Sequence, residues 1–504
     1  MRRSLVLILA GVAALQLPAP PAAAQEAEFN DAAAPVDFLL RGTRSAEEED
    51  LLAGEAPPPQ GGPAVPPGRP YPRPDAAIGP PLFGPTGTAP LGPPLAGPDP
   101  YAPARSEEAG PIVDGRRLIR RAEREAEAED PFAAPGIRVG TFILRPTIDV
   151  GVVVSDNPDG DTEKNWETGG LLEPTLSLLS DWDRHELAAE LRGTGSFYDE
   201  EVYNDRDAAA RLRARYDISR DTDLTAEAGY VYALESFTDP DTPAAAAERP
   251  ARQTYDAALT GTHRMNRLGL ALGGDVKRET FQDATTASGA TIDQGDRNRT
   301  EAALNARASY KLSGALEPFV EARGGKVVYD ESVDSNGYRR SSRFGELAGG
   351  LILDLSPKLQ GEVSAGWRHE EYDDARLAAL SAPVVAAALM WSPRRLTDIR
   401  LNLATTADGS TIPGASGSLI YSADLTASRE LRHNLAAEAG LGLDWRDYVG
   451  IDLTETTWSA FGGLVYDLNR YAALVGRYSY ERVENDPGER TDTNTFSVRL
   501  RLKR

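Results

Sequence analysis

"LQGEVSAGWRHEEY", Leu359 to Tyr372, alternates almost without interruption. Leu359, Gly361, Val363, Ala365 and Trp367 fall on one side of an extended chain; Gln360, Glu362, Ser364, Gly366, Arg368 and Glu370 fall on the other. Side chains of a strand point alternately to its two faces, so this stretch predicts a β-strand with one apolar and one polar face. It is also well beyond the usual strand length of about 5–6 residues in soluble domains.

Working outward, the same alternation starts at "DPFAAPGIRVGTFILRPTIDVG" and continues to the last residue. Two kinds of connection separate the alternating segments. Some are short, such as "SRDT", "HRMNR", "SPK", "SPRR" and "DLNR"; others are long and polar, such as "SDNPDGDTEKNWET", "SFTDPDTPAAAAERPARQ", "QDATTASGATIDQGDRN", "SVDSNGYRR" and "VENDPGERTD". The two kinds alternate. The pattern predicts about 18 strands with a hairpin period of roughly 40 residues, in the range of transmembrane barrels. A propeller of four-stranded blades shares that period but needs strands about half as long.

The middle of the apolar parity is Ala, Leu, Gly and Val, and the large aromatics sit near strand ends. Phe197, Tyr230, Tyr232, Trp367, Tyr421, Trp445, Trp458, Tyr478 and Tyr480 stand toward the long loops; Phe142, Tyr216, Tyr310, Trp391 and Tyr466 stand toward the short turns. Two aromatic girdles around a band of small aliphatics are what lipid interfaces select, because indole and phenol join an apolar body to a polar edge. The other parity carries Glu190, Arg192, Arg211, Arg213, Arg215, Glu227, Glu362, Arg368, Glu438, Arg499 and Arg501, among many other charges. A dry core would not hold so many ionised groups, whereas a hydrated lumen would. In lipid only a closed barrel satisfies every strand's backbone. The expectation is therefore all-β: a closed antiparallel transmembrane β-barrel of about 18 strands over residues 137–504, with an even count putting both termini on the periplasmic side.

Ahead of the barrel, "MRRSLVLILAGVAALQLPAPPAAAQ" has a basic start, an apolar stretch and small residues, which predicts a signal peptide over 1–24. Residues 25–114 are dominated by Pro, Ala and Gly and predict a disordered periplasmic segment; "GRRLIRRAEREAEAED" predicts a short charged helix over 115–130. The 504-residue chain has a net charge of −23, which disfavours nucleic acid, and it has no cysteine, which removes disulfides, thiolate metal sites and cysteine nucleophiles.

"DPFAAPGIRVGTFILRPTIDVGVVVSDNP" resembles the start of the putative beta-barrel porin 2 family of alphaproteobacterial outer-membrane proteins, through Asp130-Pro131, Gly136, Gly140, Phe142, Pro146 and Asp156-Asn157. The resemblance covers Asp130 to Arg504 and implies an outer-membrane barrel with a pore; it supplies neither substrate nor catalytic residues. Many such barrels end in an aromatic residue, whereas this chain ends "FSVRLRLKR".

Catalytic chemistry finds little support. His185, His263 and His433 stand at or beside short turns, His369 lies on the apolar parity beyond Trp367, and there is neither a Gly-x-Ser-x-Gly elbow in the barrel nor a His-Glu-x-x-His motif. No catalytic residue, cofactor or metal site is expected, and "SDNPDGDTEKN" lacks EF-hand spacing. Arg192, Arg211, Arg213 and Arg215, with Arg499 and Arg501 on the closing strand near Arg145, form the pore-lining candidates together with Glu190 and Glu227. Such a row attracts anions unless the carboxylates neutralise it. The expected function is passage of a hydrophilic solute across the outer membrane, the alternative an export conduit for an anionic polysaccharide, and a barrel enzyme comes third. Expected partners are outer-membrane lipids, lipopolysaccharide, the barrel-assembly machinery and a periplasmic partner for the N-terminal segment, with no nucleic acid.

Overall fold

Alternation over this length leaves one economical solution, a sheet rolled until its edges meet, and the computed structural model shows it. The structure describes residues 132–504 apart from 159, 161–163, 183, 201–202, 244, 357 and 487. The expected leader (1–24), Pro-rich segment (25–114) and charged helix (115–130) lie outside the described residues.

The strands in chain order are β1 (Ile137–Val139), β2 (Phe142–Ser155), β3 (Glu167–Ser180), β4 (Glu186–Tyr198), β5 (Asp205–Asp217), β6 (Thr222–Leu234), β7 (Ala251–Met265), β8 (Leu268–Phe281), the short loop strands β9 (Ala284–Thr285) and β10 (Thr291–Ile292), and β11 (Arg299–Tyr310). There follow β12 (Leu316–Tyr329), β13 (Ser342–Ser356), β14 (Leu359–Tyr372), β15 (Leu380–Arg394), β16 (Thr397–Asp408), β17 (Gly417–Arg432), β18 (Leu435–Val449), β19 (Thr454–Asn469), β20 (Ala472–Asp486) and β21 (Glu489–Lys503). One sheet holds 19 of them; β1 pairs only with the start of β2, which leaves 18 strands in the wall among the described residues. Each wall strand pairs antiparallel with its chain neighbours, and β2 closes on β21 through pairs running from Thr147 with Lys503 to Ser155 with Thr495. The wall begins at Phe142, and no strand edge is left over at the junction.

Wall strands run from 12 to 16 residues. About 9–11 tilted residues cross hydrocarbon, so the ends of these strands project beyond it. Tight turns join strands at the end where β2 begins, called here the turn end. At the β7–β8 turn Asn266 has φ 55°, a left-handed conformation that asparagine tolerates. The opposite, loop end carries loops 235–250, 282–298, 330–341, 373–379 and 409–416. "VENDPGERTD", read from sequence as a long loop, is mostly strand: β20 and β21 extend to Asp486 and from Glu489, and their pairing reaches Asn485 with Glu489.

The two faces of each strand differ as the parity requires. Large apolar side chains on the outside stay open, as with Leu304, Leu347 and Leu441, whereas Arg213, Arg307, Glu362, Arg368, Arg499 and Arg501 are buried on the inside.

The join between β15 and β16 is incomplete along the loop-end half of β15. β14 and β15 pair from Leu380 to Trp391, but β15 and β16 pair only from Ala387 with Leu403 to Arg394 with Thr397. Beyond Leu403, β16 stays paired with β17 up to Asp408. The β16–β17 tip bends inward: Ala407 and Leu419, on its outer parity, pack with Leu380 and Ala382 on the inner parity of β15.

Candidate functional site: the lumen and its mouth

Cross-strand register decides what each lumen arginine meets. On β5, Arg211 lies opposite Glu190, Arg215 opposite Glu186, and Arg213 opposite Glu227 of β6. The Arg213 Nε to Glu227 Oε1 distance is 3.3 Å, and Arg215 Nη2 stands 2.5 Å from Asp217 Oδ1. Arg192 of β4 lies opposite Ala209. Carboxylates therefore interleave the arginine row. On the closing strand, Arg501 donates from Nε (2.7 Å) and Nη2 (2.7 Å) to Asp149, and Arg499 pairs with Glu173. Sequence placed these two near Arg145; the register instead sets Arg501 opposite Asp149 and Arg499 opposite Gly151, because pairing of β21 starts at Thr147.

Outward parity carries Phe142, Phe197, Tyr216, Tyr230, Tyr310, Trp367, Trp391, Tyr421, Trp445, Trp458, Tyr466 and Tyr478. Several pack in pairs, such as Tyr421 on Trp445 (centroids 5.4 Å apart) and Tyr478 on Phe496 (4.6 Å). Trp367 is 54% exposed and donates to Ser381 Oγ at 3.0 Å.

Sequence reasoning missed a second aromatic set on the inner parity. Arg307 stacks 3.8 Å above the Phe319 ring, Arg368 4.0 Å above Phe344, Arg297 4.0 Å above Phe281 and Arg477 4.2 Å above Phe461. Gly350 and Gly440 lie directly opposite Phe319 and Phe461, and a Cβ at either would collide with the ring. The missing side chains let both rings lie flat on the wall, leaving a guanidinium facing inward. Arg307 is then held by Glu321 (2.8 Å) and by Glu362 of β14 (2.7 Å). The signal was present in the sequence: Phe319 falls between Glu317 and Glu321 on the polar parity.

At the loop end two segments reach across the interior. The inward tip of β16–β17 carries Asp408, whose Oδ2 is 3.3 Å from Arg252 Nη1 of β7 and which also pairs with Arg299 of β11. Six wall strands separate β7 from β16 along one arc, so this contact crosses the interior. Arg299 Nη2 also lies 2.7 Å from Glu279 Oε2, and Lys277 Nζ lies 3.3 Å from Glu279 Oε1. Arg340, 1% exposed, clamps the tip: Nη1 donates to the carbonyls of Ser410 and Ala415 (2.7 Å to the latter), Nη2 to Ile412 O (3.1 Å), and Nε to Asp334 (2.5 Å).

Loop 235–250 completes the closure. Arg297 forks onto Glu235 at 2.7 and 2.8 Å, Arg446 of β18 reaches Asp239 at 3.4 Å, and Asp241 accepts from Ser410 Oγ (2.8 Å) and Thr411 N (3.0 Å). Asn485 of β20 donates to Thr238 O at 3.4 Å. Burial pushes the Asp241 carboxyl up, and neighbouring Asp239 adds to the effect; burial likewise raises Glu235 despite Arg297. In loop 373–379 the opposite holds, since hydrogen bonds from Arg376 keep Asp374 well below the ordinary carboxylate range. The acidic loop after β2 is tied down as well, with Asp156 accepting from Lys164 at 2.9 Å and from the Asn494 amide at 2.6 Å.

A closed 18-stranded wall with an apolar exterior and an ionic interior defines the porin-like class of outer-membrane β-barrels. The chain belongs to the putative beta-barrel porin 2 family, whose family model matches residues 130–504. No curated protein matches the sequence. Among solved structures it is similar to the siderophore receptor PirA from Pseudomonas aeruginosa, at 10% identity and a TM-score of 0.34, covering 72% of this chain and 80% of that one. The copper transporter OprC gives 12% identity and a TM-score of 0.36, covering 73% of this chain and 81% of that one. The ferric citrate transporter FecA gives 13% identity and 0.34, covering 68% of this chain and 60% of that one. A likeness this loose carries no functional argument.

Proposed function

We propose that this chain carries small hydrophilic solutes across the outer membrane through a lumen whose loop-end mouth closes and opens. The observation behind this reading is the pairing of an ionic inner wall with a mouth whose two closing segments are fastened across the interior by side chains, loop 235–250 being joined besides to loop 282–298 by the Ala247 N–H to Thr285 O bond. Asp408, Arg340, Asp239 and Asp241 fasten the two closing segments, and none of these fastenings belongs to the strand ladder. They can break while the wall stays intact. Carboxylates of β4 and β6 interleaved with the β5 arginines support a lumen that passes both signs of small ion; an anionic polysaccharide would need a continuous uncompensated cationic track. The girdle aromatics are proposed to sit at the two lipid interfaces, with the turn end toward the periplasm and the N-terminal segment on that side. Transport rather than catalysis is the role proposed. Purified protein in a planar bilayer tests it: the expectation is stepwise ohmic current of low open probability. A protein that inserts yet passes no ions, with its mouth fastenings intact or removed, would overturn the reading.

A further inference from the structure

The incomplete join between β15 and β16 is finished in an unusual way. The loop-end half of β15, Leu380 to Ala386, has no ladder partner on its β16 side among the described residues. The backbone groups of Val385 and the carbonyl of Pro383 are met by side chains instead. Thr405 Oγ1 accepts from Val385 N at 2.9 Å and donates to Val385 O at 3.2 Å, and the Tyr421 hydroxyl donates to Pro383 O at 3.1 Å. Pro383 has no N–H to satisfy, and proline in a sheet belongs at strand edges. An unpaired edge in lipid is costly for each orphaned group; here side chains cap it at Pro383 and Val385 without a partner strand.

The seam also has a chemistry. Whereas neighbouring β14 turns Glu362, Arg368 and Glu370 inward, β15 turns Val384, Ala386, Ala388 and Met390 inward. That is an apolar strip beside the ionic inner face of β14, and it runs to the unladdered edge. Pro383 is the register partner of Trp367, so the seam lies level with and just below an outward aromatic.

We propose that this seam is a lateral port, through which the hydrocarbon tail of a single-chain amphiphile passes between the bilayer and the inner strip while its polar end remains among the lumen's ionic groups. The port rests on the outer-membrane placement of the barrel but not on ion conduction, because it opens sideways. Tail contact with the buried Val384 and Met390 replaces one apolar surface by another, so entry requires that the Thr405 and Tyr421 hydrogen bonds yield and that the packing of Ala407, Leu419 and Tyr421 on Leu380 and Ala382 give way.

A diazirine-bearing fatty acid dissolved in phosphatidylcholine vesicles tests the port in the full-length protein. On illumination, adducts are expected on inward Val384, Ala386 or Met390 as well as on outward Val385 and Leu389. Adducts confined to outward residues would overturn the proposal. The second arm uses Val385→Cys with Thr405→Cys, in a chain without other cysteines, linked by oxidation or by a bifunctional thiol reagent. Linking should abolish the inward adducts and reduction restore them, which guards against misfolding. Inward adducts that persist in the linked protein would mean entry through the mouth and would overturn a lateral route. Ionic current through the same linked protein should be unchanged, so failure of the port and failure of solute passage read out separately.

Discussion

Removing Arg340 should unfasten the mouth without disturbing the wall. Its guanidinium is 1% exposed and donates to three carbonyls of loop 409–416 and to Asp334. Breaking a buried charged partnership by truncating one member costs about 3–5 kcal/mol. Asp334 keeps the amides of Asn336 (2.9 Å) and Tyr338 (2.7 Å), so the carboxylate left behind is partly compensated and the lower end of that range applies. About 3 kcal/mol corresponds to a shift of roughly 100-fold in the closed-to-open ratio, at 1.4 kcal/mol per decade. Arg340→Ala should therefore raise open probability in single-channel recordings by about two decades or to saturation. Arg340→Lys should be intermediate, since an ammonium reaches Asp334 but cannot fork across three carbonyls. The barrel itself should resist heat and detergent like wild type, because no ladder pair involves Arg340. Unchanged open probability in a correctly folded Arg340→Ala protein would refute the reasoning.

On the outer face, Leu441 is 59% exposed and stands midway along β18; Leu441→Arg should cost about 2–4 kcal/mol if that position is near the bilayer midplane, whereas Glu438→Gln on the inner face should be mild, both read from urea unfolding in vesicles. Replacing Arg211, Arg213 and Arg215 by Gln leaves Glu190 and Glu227 uncompensated, so reversal potentials should shift toward cations, most clearly at low salt where screening is weak; no shift in a conducting variant would remove these residues from selectivity. Mouth closure should strengthen on acidification. Asp241 and Glu235 have raised carboxyl pKa values in the closed mouth, so that form takes up protons more readily, and its stability is gained as pH falls through the closed-state values and lost as pH rises through them. Open probability should thus drop as pH falls from neutral toward the ordinary carboxylate range, and Asp241→Asn should weaken the dependence.

The wall was legible because a parity of two is visible in any strand whose faces differ, as in Leu359–Tyr372, and because turn and loop residues punctuate the hairpins. β15 shows where that reading stops. "LSAPVVAAALM" is apolar on both parities, so alternation gives no inner face, and neither the inward strip nor the seam could be placed. The mouth escaped for a different reason: Asp408 and Arg252 are 156 positions apart, and local pattern does not report which loop folds inward. Phe319 and Phe344 sit on the polar parity, but parity alone does not tell a ring that carries a stacked guanidinium from one at a lipid boundary. The arginine row was located by parity, yet its pairing depended on register, which alternation fixes only to within even shifts.

Two positions on one strand give the most direct test of which face meets water. Glu438 and Leu441 are three residues apart on β18, inward and outward respectively. With single cysteines at each site in vesicles, a charged membrane-impermeant thiol reagent should label Glu438→Cys, and a bilayer-dissolved maleimide should label Leu441→Cys. The reverse pattern, or labelling of both sites only by the lipid-soluble reagent, would contradict a water-filled lumen inside a lipid-facing barrel.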